Sequence, residues 1–307
     1  MSQPVIPQFS LKGRTAIVTG AVSGLGLAIS EALAEAGANV AIFYHSSTIA
    51  EEAAETLAAK YKVKATAYKV NVTQPEEVQA AVDQVVSNFN GRLDIFIANS
   101  GIAWNETNVL DSSISHYRAI MSTNLDSVYY CSRAAGKHWR RQAKEGTTLS
   151  GERLENFRKG SFIATASMSG HIVNYPHVQT AYNASKAGVI HMCELKFLCL
   201  SRIVWTASSK IDYACLTGAV SLTNTGKSLA VEWADFARVN TVSPGFIQSG
   251  LTAAVSEDIK DQLRDKTPMR QIGELAEMKG VYLYLASDAS SFTTGTDIVV
   301  DGGYTLW

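Results

Sequence analysis

Two side chains in this sequence have types and spacing suited to proton transfer. Tyr182 and Lys186 stand four residues apart in Tyr182-Asn183-Ala184-Ser185-Lys186. On a helix that spacing puts both on one face, a few ångströms from each other. A phenol normally titrates near a pKa of about 10. A neighbouring ammonium favours the phenolate and lowers that pKa, which makes the phenol a better acid near neutrality. The pair gains force from its place after a β-type run that ends in Ser167 (Phe162-Ile163-Ala164-Thr165-Ala166-Ser167).

A second group of residues suits an anion. Thr19-Gly20-Ala21-Val22-Ser23-Gly24-Leu25-Gly26 follows the first strand-like run and opens the first helical one. Gly20 permits a sharp turn, Gly24 lets backbone approach a pyrophosphate, and Gly26 lets helix pack close on strand. The helix start, Ser23 to Gly26, supplies free N–H groups and the positive dipole end. Strand before and helix after is the context that turns a glycine pattern into a dinucleotide site.

The elements that must hold these groups are legible as alternation. Strand-like runs are expected at Thr15–Thr19, Asn39–Tyr44, Val63–Val70, Asp94–Ala98, Phe162–Thr165, Ala237–Val242 and Thr296–Val300, with helical patterns between them, such as Gly24–Ala36 and Ile49–Tyr61. Such alternation predicts βαβ units, hence a doubly wound parallel sheet with helices on both faces. Right-handed crossovers leave few topologies. The 307 residues are read as one Rossmann-like α/β domain with insertions. Arg140 to Lys159 is polar and highly charged, and is expected to be a solvated helix end followed by a loop.

The spacing TGxxxGxG resembles the short-chain dehydrogenase/reductase family, and further motifs extend the likeness along nearly the whole chain. Asp94 with Ala98-Asn99-Ser100-Gly101 resembles the family's D…NNAG stretch, with Ala98 for the first Asn and Ser100 for Ala. Pro244-Gly245-Phe246-Ile247 resembles its PG motif, and Asp301-Gly302-Gly303 its closing turn. Ile97 to Ile102, Gly160 to His171, Ser228 to Trp233 and Gly303 to Trp307 are most similar to fungal NADPH-dependent sorbose reductases, mannitol dehydrogenases and related yeast carbonyl reductases.

The resemblance implies roles. Tyr182 protonates the carbonyl oxygen as hydride arrives. Ser167 orients that oxygen, although Ser169, thirteen positions before Tyr182, is a rival. Lys186 bonds the nicotinamide ribose and lowers the Tyr182 pKa, and Asn124 helps hold a proton-relaying water. Asn99, Ser100, Gly101, Pro244, Gly245, Ile247 and Ser249 are expected along the cofactor, as are Asn71 and Val72 beyond the third strand. Members of this kind that use NAD usually end the second strand in an acidic residue. Tyr44, followed by His45-Ser46-Ser47, stands there instead. No carboxylate at that position repels a 2′-phosphate, and hydroxyls and a His can bond one, which points to NADP(H). The implied reaction is reduction of a ketone, such as sorbose or fructose, and its reverse. A 3-oxoacyl or general carbonyl reductase, or an inactive nucleotide-binding protein, are the alternatives.

Bulk properties narrow the partners. A net charge of −1 gives no electrostatic case for nucleic acid or an anionic membrane. No apolar run is long enough to span a bilayer, and the polar start lacks a signal-peptide pattern. The four cysteines show neither metal-ligand nor disulfide spacing. A cytoplasmic enzyme without a metal is expected.

One segment breaks the pattern. Tyr182 to Cys193 begins a helix that Lys227 to Trp233 resumes, and removing Glu194 to Gly226 leaves YNASKAGVIHMCKSLAVEW. Ile190, Cys193, Ala230 and Trp233 then form a helical stripe. The segment 194–226 resembles nothing in the family. It reads as a translated, unspliced intron: Cys193-Glu194-Leu195 can encode a fungal 5′ splice signal, Leu216-Thr217 a branch point, and Thr225-Gly226 the terminal AG. A genuine long loop is the alternative. The uninterrupted form is expected to be a homodimer or homotetramer.

Overall fold

The computed structural model describes residues 4–105, 108–174, 179–193, 229–250 and 256–306. Seven parallel strands form one sheet in the order β3-β2-β1-β4-β5-β6-β7. They are β1 (Thr15–Thr19), β2 (Asn39–Tyr44), β3 (Ala65–Lys69), β4 (Ile95–Ala98), β5 (Gly160–Thr165), β6 (Ala237–Pro244) and β7 (Asp297–Val300). All seven fall where alternation places them. The order reverses between β1 and β4, so a crevice opens above the C-terminal ends of those two strands.

Helices cover both faces. In chain order they are α1 (Gly24–Glu35), α2 (Ala50–Tyr61), α3 (Pro75–Asn88), α4 (Ile114–Met121), α5 (Ser127–Glu145), α6 (Thr180–Cys193), the short α7 (Leu229–Glu232), α8 (Glu257–Lys266) and α9 (Leu275–Ala286). On one face Val78, Val82, Val85 and Val86 of α3, Trp139 of α5 and Val189 of α6 bury against Phe96 and Phe162. On the other, Ile29 and Leu33 of α1, Leu57 of α2, and Tyr282 and Leu285 of α9 bury against Val18, Ile42 and Ile97. Central strands buried on both faces read as continuous apolar runs, as in TAIVT and IFIA. Trp139 lies so close to Gly160 that a Cβ there would come within 2.1 Å of its ring. Full burial of Phe162 implies that truncation to Ala would cost roughly 3–5 kcal/mol.

Two expectations meet particular structure here. The polar run after Arg140 is not solvated throughout. Gln142 is buried, its amide donating to the Leu93 carbonyl at 2.8 Å and its oxygen accepting from the Leu93 N–H at 2.8 Å. That pairing caps the entry to β4, and charge density in sequence hides it. The stripe Ile190, Cys193, Ala230 and Trp233 meets in a single core, with the Trp233 ring against Gly136 of α5. The segment 194–226 itself lies outside the described residues. Among the described residues no helix is long and apolar enough to cross a membrane.

Candidate active site

The crevice is a cavity of about 520 Å³ lined by the glycine turn, the loops after β4, β5 and β6, and the start of α6. The glycine turn is shaped by backbone demands. Gly20 has φ +63° and Gly24 φ +52°, a region that a side chain disfavours. At Gly26 a Cβ would lie 2.1 Å from the Gly20 carbonyl oxygen and 2.8 Å from Asn99 Nδ2. Only glycine lets α1 start this close to β1. Ser23, Gly24 and Leu25 line the cavity beside them, so a phosphate here would meet the helix N-terminus directly.

Threonines at the strand ends fix the loop opposite. Thr19 Oγ1 accepts from the N–H groups of both Asn99 and Ser100, each at 2.9 Å. Asn99 Nδ2 donates to the Thr19 carbonyl at 3.1 Å, and Asn99 Oδ1 accepts from Thr165 Oγ1 at 3.1 Å. The Asn99 side chain thus bridges the ends of β1 and β5. Buried Asp94 accepts from the Thr15 N–H at 2.9 Å and is held by Arg92. Its place is under the sheet's entry, not in the cavity. Thr19 opens the TGxxxGxG motif, whereas Thr165 carries no signal in sequence beyond its strand.

Asn124 sits in a π-helical stretch, Ser122–Asp126, between α4 and α5. Its Oδ1 accepts from the Ile102 N–H at 2.8 Å, and its Nδ2 donates to the Ile102 carbonyl at 3.0 Å. The amide is committed to holding the chain just beyond Gly101. π-Bulges of this sort concentrate at functional sites.

Ser167 and Ser169 have separate partners. Ser167 lies beside Tyr182 and acts on its phenol, drawing the pKa down against burial, while its Oγ accepts from the Ser169 N–H at 3.1 Å. The Ser169 hydroxyl faces two amides instead, accepting from Asn174 Nδ2 at 2.7 Å and Gln179 Nε2 at 3.0 Å. The structure therefore brings Ser167, not Ser169, to Tyr182.

Lys186 is buried at 4% exposure. Its ammonium lies 5.7 Å from the Tyr182 ring centre and donates to the Thr165 carbonyl at 2.8 Å. Burial pulls its pKa down to about 8. The expected depression of the Tyr182 pKa by Lys186 is not met. Burial raises the phenol above its ordinary value, and the opposing influence is Ser167. The reason is geometric: the ammonium turns to Thr165 rather than to the phenol oxygen.

Pro244, Gly245, Ile247 and Ser249 line the far wall. A Cβ on Gly245 would stand 2.6 Å from Asp301 Cα, so the PG turn and the closing turn need each other. Phe246 packs edge-on against Tyr304 with ring centres 5.5 Å apart.

Seven of the expected residues do not line the cavity: Asn124 stands behind Ile102, and Tyr44, His45, Ser46, Ser47, Asn71 and Val72 close the neighbouring ends of β2 and β3. A carboxylate is present after all, because the Tyr44 hydroxyl donates to Glu51 Oε1 of α2 at 2.8 Å, and that bond raises the phenol's pKa. Ser47 Oγ accepts from the Ile49 N–H at 3.3 Å, and Asn71 Oδ1 accepts from Thr73 Oγ1 at 2.8 Å. Reading the strand end alone missed Glu51, which arrives seven residues later. Among the described residues no group of three or more His, Cys, Asp or Glu could hold a metal ion.

Comparison with known proteins agrees with this geometry. The short chain dehydrogenase family model matches residues 14–197, and an enoyl-(acyl carrier protein) reductase model matches 213–305. The chain belongs to the short-chain dehydrogenase family. It is 51% identical over 302 residues to an L-xylulose reductase of Hypocrea jecorina, covering 98% of this chain and 93% of the relative. It is 40% identical to an NADP-dependent mannitol dehydrogenase of the same species, covering 99% of each. Among solved structures it resembles the NADPH-dependent 3-quinuclidinone reductase of Rhodotorula rubra, with TM-score 0.80, 36% identity, and 100% and 97% of the two chains covered.

Proposed function

We propose that this protein is an NADP(H)-dependent reductase that converts a ketose to the corresponding polyol, and the reverse. The observation that carries the reading is that Ser167, Tyr182 and buried Lys186 line the same cavity as the glycine turn. Relatives named as xylulose reductase and mannitol dehydrogenase supply the substrate class.

The residues present fit a dinucleotide. Gly20 to Gly26 would take the pyrophosphate at the helix start, Asn99 to Gly101 would flank the ribose, and Pro244 to Ile247 would face the nicotinamide. When bound, the cofactor supplies the hydride. Tyr182, kept protonated by burial, delivers its proton to the carbonyl oxygen. Ser167 donates to that same oxygen and stabilises the charge that develops on it. Lys186 is free to trade Thr165 for the phenol oxygen or the ribose hydroxyls once the cavity fills. Asn124 fixes the Gly101–Ile102 backbone against which a ribose would rest, and a relay water is assigned to its neighbourhood. The 2′-phosphate is assigned to the β2 end, where His45 and Ser46 are exposed.

This reading places the enzyme in the cytoplasm and, in its uninterrupted form, as a homodimer or homotetramer. Edge strand β7 with Val299, and exposed Phe292 and Leu306, offer apolar surface and unpaired backbone to a second copy. NADPH oxidation against xylulose, sorbose, fructose and a 3-ketoester tests the proposal. Fastest turnover should be with a ketose; turnover confined to the ketoester refutes it.

A further inference from the structure

The hydroxyl of Ser169 accepts two amide hydrogens, from Asn174 Nδ2 at 2.7 Å and Gln179 Nε2 at 3.0 Å. Both of its lone pairs are then occupied, so its own proton is left to be donated elsewhere. The Asn174 oxygen is buried and has no hydrogen-bond partner among the described residues. All three residues line the cavity beside Ser167 and Tyr182, and they are only 4%, 1% and 9% exposed respectively.

An unpartnered buried amide oxygen costs roughly 1–3 kcal/mol. Turning the Asn174 amide over does not remove the deficit. Ser169 would then donate to the oxygen, and the nitrogen would lose its partner instead. In either orientation the cluster is short of one partner at the cavity wall. As placed, it holds one donor, the Ser169 O–H, and one acceptor, the Asn174 carbonyl. A group that satisfies both must accept and donate at once, and an alcohol hydroxyl does so.

We propose that Ser169, Asn174 and Gln179 read a hydroxyl of the substrate close to its reacting carbonyl. The cluster would thereby select polyhydroxylated ketones over apolar ones. The inference rests on the reading of the site as a ketone reductase. Position supports it. Ser169 is two residues beyond Ser167, and Gln179 is three before Tyr182 at the start of α6, so the cluster adjoins both groups that would hold the carbonyl oxygen. Gln179 acts as a positioning residue through Ser169. Asn174 is the residue that meets substrate, and its soft terminal torsion lets the covered oxygen turn to the incoming hydroxyl.

The test compares fructose or sorbose with cyclohexanone, a ketone without hydroxyls, in the wild-type protein, Asn174→Ala and Asn174→Asp, using NADPH throughout. Loss of one such hydrogen bond corresponds to about a tenfold change. The ratio of kcat/KM for sugar over cyclohexanone should fall about tenfold or more in Asn174→Ala, and Asn174→Asp, which keeps an acceptor, should recover part of it. A merely structural role would lower both substrates together and leave the ratio within about twofold, which overturns the proposal. Should Asn174→Ala not fold, the ratio in Asn174→Asp and Gln179→Ala, together with wild-type discrimination between fructose and 1-deoxyfructose, decides the matter. Equal handling of those two sugars, with the ratio unmoved, also overturns it. If the wild-type protein reduces cyclohexanone but no ketose, the proposed function fails and the inference falls with it. If ketoses turn over and the ratio is unmoved, the inference alone fails.

Discussion

Replacing Lys186 with Met should make the ligand-free protein more stable while removing its activity. The ammonium is buried, and its pKa falls from 10.5 to about 8 because burial disfavours the charge. A displacement of that size corresponds to roughly 3 kcal/mol held against the charged form. Met keeps most of the side-chain volume without the charge, but leaves the Thr165 carbonyl without the donor now at 2.8 Å. That loss costs about 1 kcal/mol. The balance at pH 7 is a gain of about 2 kcal/mol, or a few degrees in Tm.

The pH dependence gives the sign. The folded-state pKa lies below the unfolded one, so between about pH 8 and pH 10.5 the unfolded chain binds more protons and wild-type stability rises with pH. The Met variant lacks this rise. Its advantage should be full below pH 8, shrink through that window, and turn into the small deficit of the lost hydrogen bond near pH 10.5. Urea unfolding of both proteins at pH 7 and pH 10, without cofactor, measures the difference directly. A variant less stable at pH 7, or a difference that does not change with pH, would refute the argument. Functional sites commonly carry such a cost, because the group needed for chemistry is unfavourable in the empty protein.

Tyr182→Phe should lower ketone reduction by on the order of a hundredfold or more while NADPH affinity, read by fluorescence titration, changes little; parallel loss of both would mean that the site had collapsed. Reduction in the wild-type protein should decline as pH rises through about 8, where Lys186 loses its charge, and a flat profile across that range counts against its role. NADPH should exceed NADH by about tenfold or more in kcat/KM; Tyr44→Asp should narrow that margin and Glu51→Gln widen it, and equal use of both cofactors by the wild-type protein excludes the assignment. Gly26→Ala should abolish NADPH binding by calorimetry, since the new Cβ would stand 2.1 Å from the Gly20 oxygen; unchanged affinity would mean that the turn yields. A chain joining Cys193 to Lys227 should be more soluble, more oligomeric and more active than the full one, and a mature transcript that retains the segment together with equal activity of both chains refutes the intron reading.

The sheet was legible because its strands are buried on both faces, and β-branched runs such as TAIVT have few other uses. Gly26 was legible for a comparable reason, since the spacing states a close approach and the structure puts a carbonyl there. What was not legible depends on partners distant in sequence. Thr165 looks like the end of a strand until the Asn99 oxygen meets its hydroxyl and Lys186 its carbonyl. Glu51 looks like a solvated helix residue until the Tyr44 hydroxyl reaches it. The strand end favours Ser167 over Ser169 in sequence, but the partners of Ser169, the amides of Asn174 and Gln179, show only in space. Side-chain direction at a turn decides such contacts, and residue order does not encode it locally.

The two halves of the cavity are built on different terms. On the cofactor side nearly every position is fixed by backbone: positive φ at Gly20 and Gly24, a forbidden Cβ at Gly26, and main-chain N–H groups drawn onto Thr19 Oγ1. A change there disturbs the fold as well as binding. On the substrate side the wall is made by side chains on the turn Met168–Gly170 and by Asn174 and Gln179, with His171 tied back to Asp297 at 2.6 Å. Those side chains can be exchanged without moving a strand. One framework can therefore serve relatives as different as a xylulose reductase and a quinuclidinone reductase. Substrate choice in this protein should accordingly yield to substitutions at Asn174 and Gln179, and cofactor use should yield only at the β2 end, where side chains and not backbone make the surface.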